Sequence, residues 1–69
     1  MTSHNTATTK RLIRLPEVRR TVALSRSEIY RLIALKRFPP PVPLTGGRAV
    51  AWDFDEIQEW VRGRIAARS

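Results

Sequence analysis

The rhythm of apolar and polar positions changes several times along the chain, and each change marks an element. Residues 1–9 (MTSHNTATT) show no hydrophobic periodicity and hold four threonines, a serine and an asparagine. With Lys10 they are expected to form a disordered tail over 1–10, with His4 in solvent. Leu12–Leu15 (LIRL) alternates as a short extended segment. Pro16 stands where a first helical residue would, and Glu17 suits the positive end of a helix dipole. A short helix is predicted from Val18 to about Val22, leaving through Ala23-Leu24, where the glycine that turns favour is missing.

Ser25 opens the clearest helix signal. Ser25 and Glu28 are spaced as a capping box, in which each side chain satisfies a backbone donor at the other's position, and Leu24 and Ile29 flank it as a hydrophobic staple. The helix is predicted to reach about Lys36, with basic residues at its negative end. Ile29, Leu32 and Ile33 share one face. Arg26, Ser27, Tyr30, Arg31 and Ala34 share the other, so the helix has an apolar side and a side of hydrogen-bond donors.

Phe38 and the three prolines 39–41 cannot continue a helix. Val42–Leu44 reads as a short edge strand, Thr45–Gly47 as a turn, and Arg48–Trp52 as a second strand, the Gly-Gly pair signalling a hairpin. Asp53 and Glu56 are spaced as a second capping box, with Trp52 and Ile57 as its staple and Asp55 as a rival cap. Ile57, Trp60, Val61 and Ile65 line one face of a closing helix that fades near Ala67. The fold class is therefore mainly α with a small β-hairpin: a minimal winged helix-turn-helix over residues 11–67.

Composition narrows the chemistry. A chain of 69 residues has room for one thin core. It has no cysteine and one histidine, so neither a disulfide nor a metal site is expected. The six carboxylates are assigned to caps and surface pairs, and the glycine pair is too short to be a phosphate-cradling loop. No catalysis and no cofactor are expected. No apolar run approaches the roughly 20 residues of a membrane span, and no signal-peptide pattern opens the chain. A soluble, cytoplasmic protein associated with the nucleoid is expected, with no membrane partner and no ligand-sensing domain.

Charge points to the partner. Thirteen basic residues face six acidic ones for a net +7, and eleven of the thirteen are arginines. A guanidinium offers a planar fork that fits phosphate and the guanine edge. A small, arginine-rich domain has polyanions as its natural partners.

In order and spacing, four stretches resemble the AlpA-like family of phage and prophage transcriptional regulators, relatives of the excisionases and of the MerR-type DNA-binding domain. They are LSRSEIYRLI at 24–33, the FP-P-V-L stretch at 38–44, GGRAVAW at 46–52, and the Glu56-Ile57…Trp60 spacing. The resemblance covers residues 11–65. Val22-Ala23 departs from the threonine-glycine more usual there. The resemblance implies a winged helix that binds double-stranded DNA and acts as a transcription activator or repressor.

On that basis helix 25–36 is the candidate recognition helix, with Ser25, Arg26, Ser27, Tyr30 and Arg31 facing base edges in the major groove. Arg26 or Arg31 could fork onto a guanine, and Ser27 could bond a base or a phosphate. The bland alternative is a solvated polar face, and Tyr30 could instead lie across the core. Hairpin 42–52 is the candidate wing, with Thr45, Gly46, Gly47 and Arg48 near the minor groove; the alternative is an ordinary turn with an exposed arginine. Arg19, Arg20, Lys36 and Arg37 are candidate phosphate contacts or simply solvated charges. Phe38, Trp52 and Trp60 fall on inward positions and are assigned to the core rather than to base stacking.

Two other functions fit the same residues. One is an excisionase-like architectural factor that bends DNA and lines up copies or an integrase beside it. The other is a basic protein-interaction module, with the wing or the closing helix docking an acidic partner and DNA contact incidental; an integrase or the transcription machinery is a further candidate partner. Self-association or cooperative binding on DNA would offset the small footprint of a single domain. Duplex RNA is a poorer match, because its major groove does not admit a helix.

Overall fold

Backbone bonds around Arg14 start the first helix earlier than the side-chain pattern suggests. In the computed structural model, which describes residues 10–68, the elements are β1 (Leu12–Ile13), α1 (Leu15–Val22), α2 (Arg26–Ala34), β2 (Val42–Pro43), β3 (Val50–Asp53) and α3 (Phe54–Ala67). The expected tail over residues 1–9, with His4, lies outside the described residues. The Arg14 carbonyl accepts from the amides of Glu17 (3.1 Å) and Val18 (3.0 Å), so α1 is under way at Leu15 rather than at Val18. Pro16 fits that first turn because its missing N–H would have had no helical partner.

The exit from α1 places the non-glycine Ala23 in the left-handed region, at φ 62° and ψ 35°, with its N–H donating to the Arg19 carbonyl. An L-residue there costs about 1 kcal/mol or more. Glycine relieves that cost, less a part lost because it gives up more entropy on folding. Ala23→Gly is expected to stabilise the fold by up to about 1 kcal/mol, read as a rise of a few degrees in Tm. Ala23→Val, with a β-branched side chain at positive φ, is expected to lower Tm.

α2 begins as its cap requires: Ser25 Oγ accepts from the Glu28 N–H at 3.2 Å. The box is only half made, because the Glu28 carboxylate turns instead to Arg31, at 3.1 Å. The helix ends at Ala34, short of Lys36. Lys36 takes φ 61°, its N–H donates to the Ile33 carbonyl (2.9 Å), and the Arg37 N–H donates to the Leu32 carbonyl (2.8 Å). This paired closure turns the chain out of the helix just before the prolines.

The hairpin joins a larger sheet. β3 lies between β1 and β2 in the order β1-β3-β2. It pairs antiparallel with β2 through Val42↔Ala51 and Pro43↔Val50, and with β1 through Leu12↔Asp53 and Ile13↔Trp52. The extended segment at Leu12 is thus a third strand. The hairpin connection is longer than a Thr45–Gly47 turn: the Leu44 N–H donates to the Ala49 carbonyl at 2.9 Å, and Gly46 supplies a φ of 85°. β3 accordingly starts at Val50, not at Arg48.

The core comprises Ile13, Val18, Ile29, Phe38, Trp52 and Ile57, with Leu24, Leu32, Ile33 and Trp60 packed against it. The indole N–H of Trp52 donates to the Pro39 carbonyl (3.0 Å), and that of Trp60 to the Arg37 carbonyl (2.9 Å). Phe38 meets Trp60 edge-on with ring centroids 4.9 Å apart. Two indoles thus tie the proline segment, which has few amide donors of its own, to β3 and α3. Ile65 departs from expectation: it is 53% exposed, because α3 continues past the body it packs on and residues 62–67 are all exposed.

At the start of α3, Asp53 Oδ1 accepts from the Asp55 N–H at 2.9 Å. The rival cap, Asp55, pairs with Lys10 at 3.1 Å, as does Asp53. The hydrogen bond from Lys10, helped by the cap bond from Asp55, holds the Asp53 carboxyl below its ordinary 3.8. Bonds to Asp53 and Asp55 hold the Lys10 ammonium above 10.5. A carboxyl whose pKa falls on folding stabilises the fold above its unfolded pKa and loses that contribution as pH drops through the folded value. The raised lysine contributes fully below 10.5 and loses its part only as pH rises past that value. Asp53→Asn retains a good capping side chain but not the charge. Its Tm is expected to fall less than the parent's on acidification below about pH 4; superimposable acid limbs would contradict this.

Candidate nucleic-acid interface

The donor face of α2 is at the surface as expected, with Ser25, Arg26, Ser27, Tyr30 and Arg31 all exposed. Tyr30 does two things at once. Its ring meets Trp52 edge-on, with centroids 6.3 Å apart, while the Arg26 guanidinium sits 5.3 Å from its centroid. The phenol therefore rests against the core and supports the charge of Arg26 from below. Arg31 is tethered to Glu28, but both side chains are largely exposed, at 61% and 49%. Such a pair is worth about 0–1 kcal/mol and exchanges readily.

Thr45, Gly46, Gly47 and Arg48 are exposed in the β2–β3 loop. A groove of about 390 Å³ runs between that loop and α2, and three arginines from three different segments line it: Arg14, Arg26 and Arg48. Tyr30, Leu15, Pro16 and Val50 complete its walls. The fold thus joins the first turn of α2 to the end of the loop, which are well separated in sequence. Ser25, Ser27, Arg31 and the loop residues Thr45–Gly47 are outside the groove. Arg19 and Arg20 on α1, and Lys36 and Arg37 after α2, are exposed but also outside it.

Arg14 was not among the sequence candidates. No sequence signal marks it: in the structure it is the N-cap of α1, where short polar side chains are favoured, and its side chain makes no capping bond.

The electrostatics set this groove apart. Among the described residues, five of the six carboxylates are in ion pairs, with Lys10, Arg11, Arg31 and Arg62. Arg14, Arg26 and Arg48 are in none of these pairs, and no carboxylate lines the groove. Three unopposed guanidiniums around a partly apolar floor suit a ligand that carries both negative charge and apolar surface.

Comparison with known proteins adds the family. The family described as "Prophage CP4-57 regulatory protein (AlpA)" matches residues 11–65. The chain belongs to the AlpA family of prophage regulatory proteins. The matched span contains every groove residue and all of the AlpA-family fold except the end of α3. This AlpA-family chain is similar to the uncharacterized protein ORF88 of Enterobacteria phage P4, with 51% identity over 61 residues, covering 88% of this chain and 68% of that one. No solved structure matches it. Among the described residues, no helix is long and apolar enough to cross a membrane.

Proposed function

We propose that this AlpA-family chain is a sequence-specific, double-stranded DNA-binding regulator of transcription, with α2 in the major groove and the β2–β3 loop as its wing. The observation that carries the proposal is the convergence of Arg26 and Arg48 on one groove without an opposing carboxylate. A helix with an exposed donor face fits the width of the B-form major groove. A loop beside it, containing two glycines and an arginine, can approach the sugar-phosphate edge closely. Arg26 and Arg31 are the base readers in this account, and Ser27 stands beside them. Arg19, Arg20, Lys36 and Arg37 contribute phosphate contacts and long-range attraction. One domain has a small footprint, so a second copy on an adjacent site would supply the remaining affinity.

Arg31→Ala separates base reading from charge. The variant is expected to bind the preferred duplex about tenfold or more weakly while losing less on a scrambled duplex. Fluorescence polarisation titrations on both duplexes measure this, and equal losses would move Arg31 to the phosphate contacts.

A further inference from the structure

Where one element of a protein occupies the major groove and a neighbouring element occupies the adjacent minor groove, the strand dividing the two grooves must cross the surface between them. With α2 and the β2–β3 loop placed as above, that surface is the groove carrying Arg14, Arg26 and Arg48. From this geometry we infer that the groove is the seat of one DNA strand and that Arg14, from the β1–α1 junction, binds a phosphodiester there. The inference rests on the proposed DNA-binding function and adds to it a residue and a ligand group.

Around Arg14 the chemistry of the groove suits a sugar-phosphate strand better than a base edge. Its cations arrive from separate segments, so they surround the groove rather than forming a single exposed row. Pro16, Leu15 and Val50 offer apolar surface to a deoxyribose, while the Arg14 guanidinium offers paired donors to the phosphate oxygens. Arg11 pairs with Glu17 at 2.8 Å and Arg31 with Glu28 at 3.1 Å. Arg14 has neither an ion-pair partner among the described residues nor a capping role. A phosphate contact carries no base information. Arg14 therefore fixes how α2 is set in the major groove without choosing the sequence, and its removal weakens all duplexes alike.

The test compares the parent, Arg14→Ala and Arg14→Lys on the preferred duplex and on a scrambled duplex of equal length, over a series of salt concentrations, with thermal melts of each protein. Arg14→Ala is expected to weaken binding to both duplexes by the same factor, about tenfold. It should also reduce the magnitude of the salt slope by about 0.9, and Arg14→Lys should restore that slope. A scan of single neutral methylphosphonate linkages through the preferred duplex should find one position where the parent loses affinity and Arg14→Ala loses none further. Arg14→Gln, which keeps a long polar side chain, replaces the alanine variant if that melts early. Parental affinity and slope in the Arg14 variants, on a duplex that the parent binds, would overturn the inference and leave the proposed function standing. So would a loss confined to the preferred duplex with the slope unchanged. A parent that binds neither duplex would overturn both.

Discussion

Trp52→Ala yields a chain with no cooperative melting transition. Trp52 is fully buried and lies on the central strand, opposite Ile13 of β1. It supports Tyr30 of α2 edge-on and donates its indole N–H to the Pro39 carbonyl. Its replacement opens a large cavity and removes a hydrogen bond to the proline segment. Truncating a buried tryptophan costs about 3–5 kcal/mol, and a core of this size rarely supplies more than about 3–5 kcal/mol in total. Circular dichroism through a thermal ramp provides the measurement. Trp60→Ala, at a half-buried position, is expected to retain a transition at lower temperature. A sharp melt for Trp52→Ala close to the parent's would mean that the core does not depend on this residue.

The double replacement Arg26→Ala with Arg48→Ala removes preferred-site binding at near-parental stability. Neither side chain forms an ion pair among the described residues, and both are exposed, so little folding energy is lost with them. A charge-assisted contact is worth about 1.5–3 kcal/mol, so the pair should cost at least about a hundredfold in affinity for the preferred duplex. Loss of the Arg26 stack on Tyr30 is a minor part of this at an exposed site. Titration of the double variant and of each single variant on the same duplex checks the prediction. If the double variant keeps the parental affinity, the groove is not the binding surface.

Much of this molecule was legible where local chemistry decides the outcome. Ser25 with its Leu24–Ile29 staple marked the start of α2, and Asp53 with Trp52 and Ile57 marked the start of α3. The donor face of α2 followed from helical spacing alone. The Ser25–Glu28 box is only half made because a carboxylate near a helix start can serve either the backbone or a cation, at similar energy: Glu28 pairs with Arg31, and Asp55, the rival cap of α3, likewise pairs with Lys10. Leu12-Ile13 reads as extended in the sequence but not as paired, since the partner strand at Trp52 is distant in sequence and two residues carry no register signal. Ile65 continued the α3 periodicity correctly, yet how far a helix outruns the body beneath it is a tertiary property. Arg14 escaped notice for a related reason. It belongs to no periodic face, and only the folded chain places it beside Arg26 and Arg48. The left-handed residue Ala23 could be anticipated as a missing glycine, whereas Lys36 gave no such sign.

The most direct measurement of the central claim is selection of bound duplexes from a random DNA pool by the parent protein, repeated at low and raised salt. The expected result is enrichment of one motif, as a single or paired half-site, that persists when salt is raised. Recovery of unrelated sequences, with binding lost as salt rises, would contradict it and would show that charge alone holds this domain to DNA.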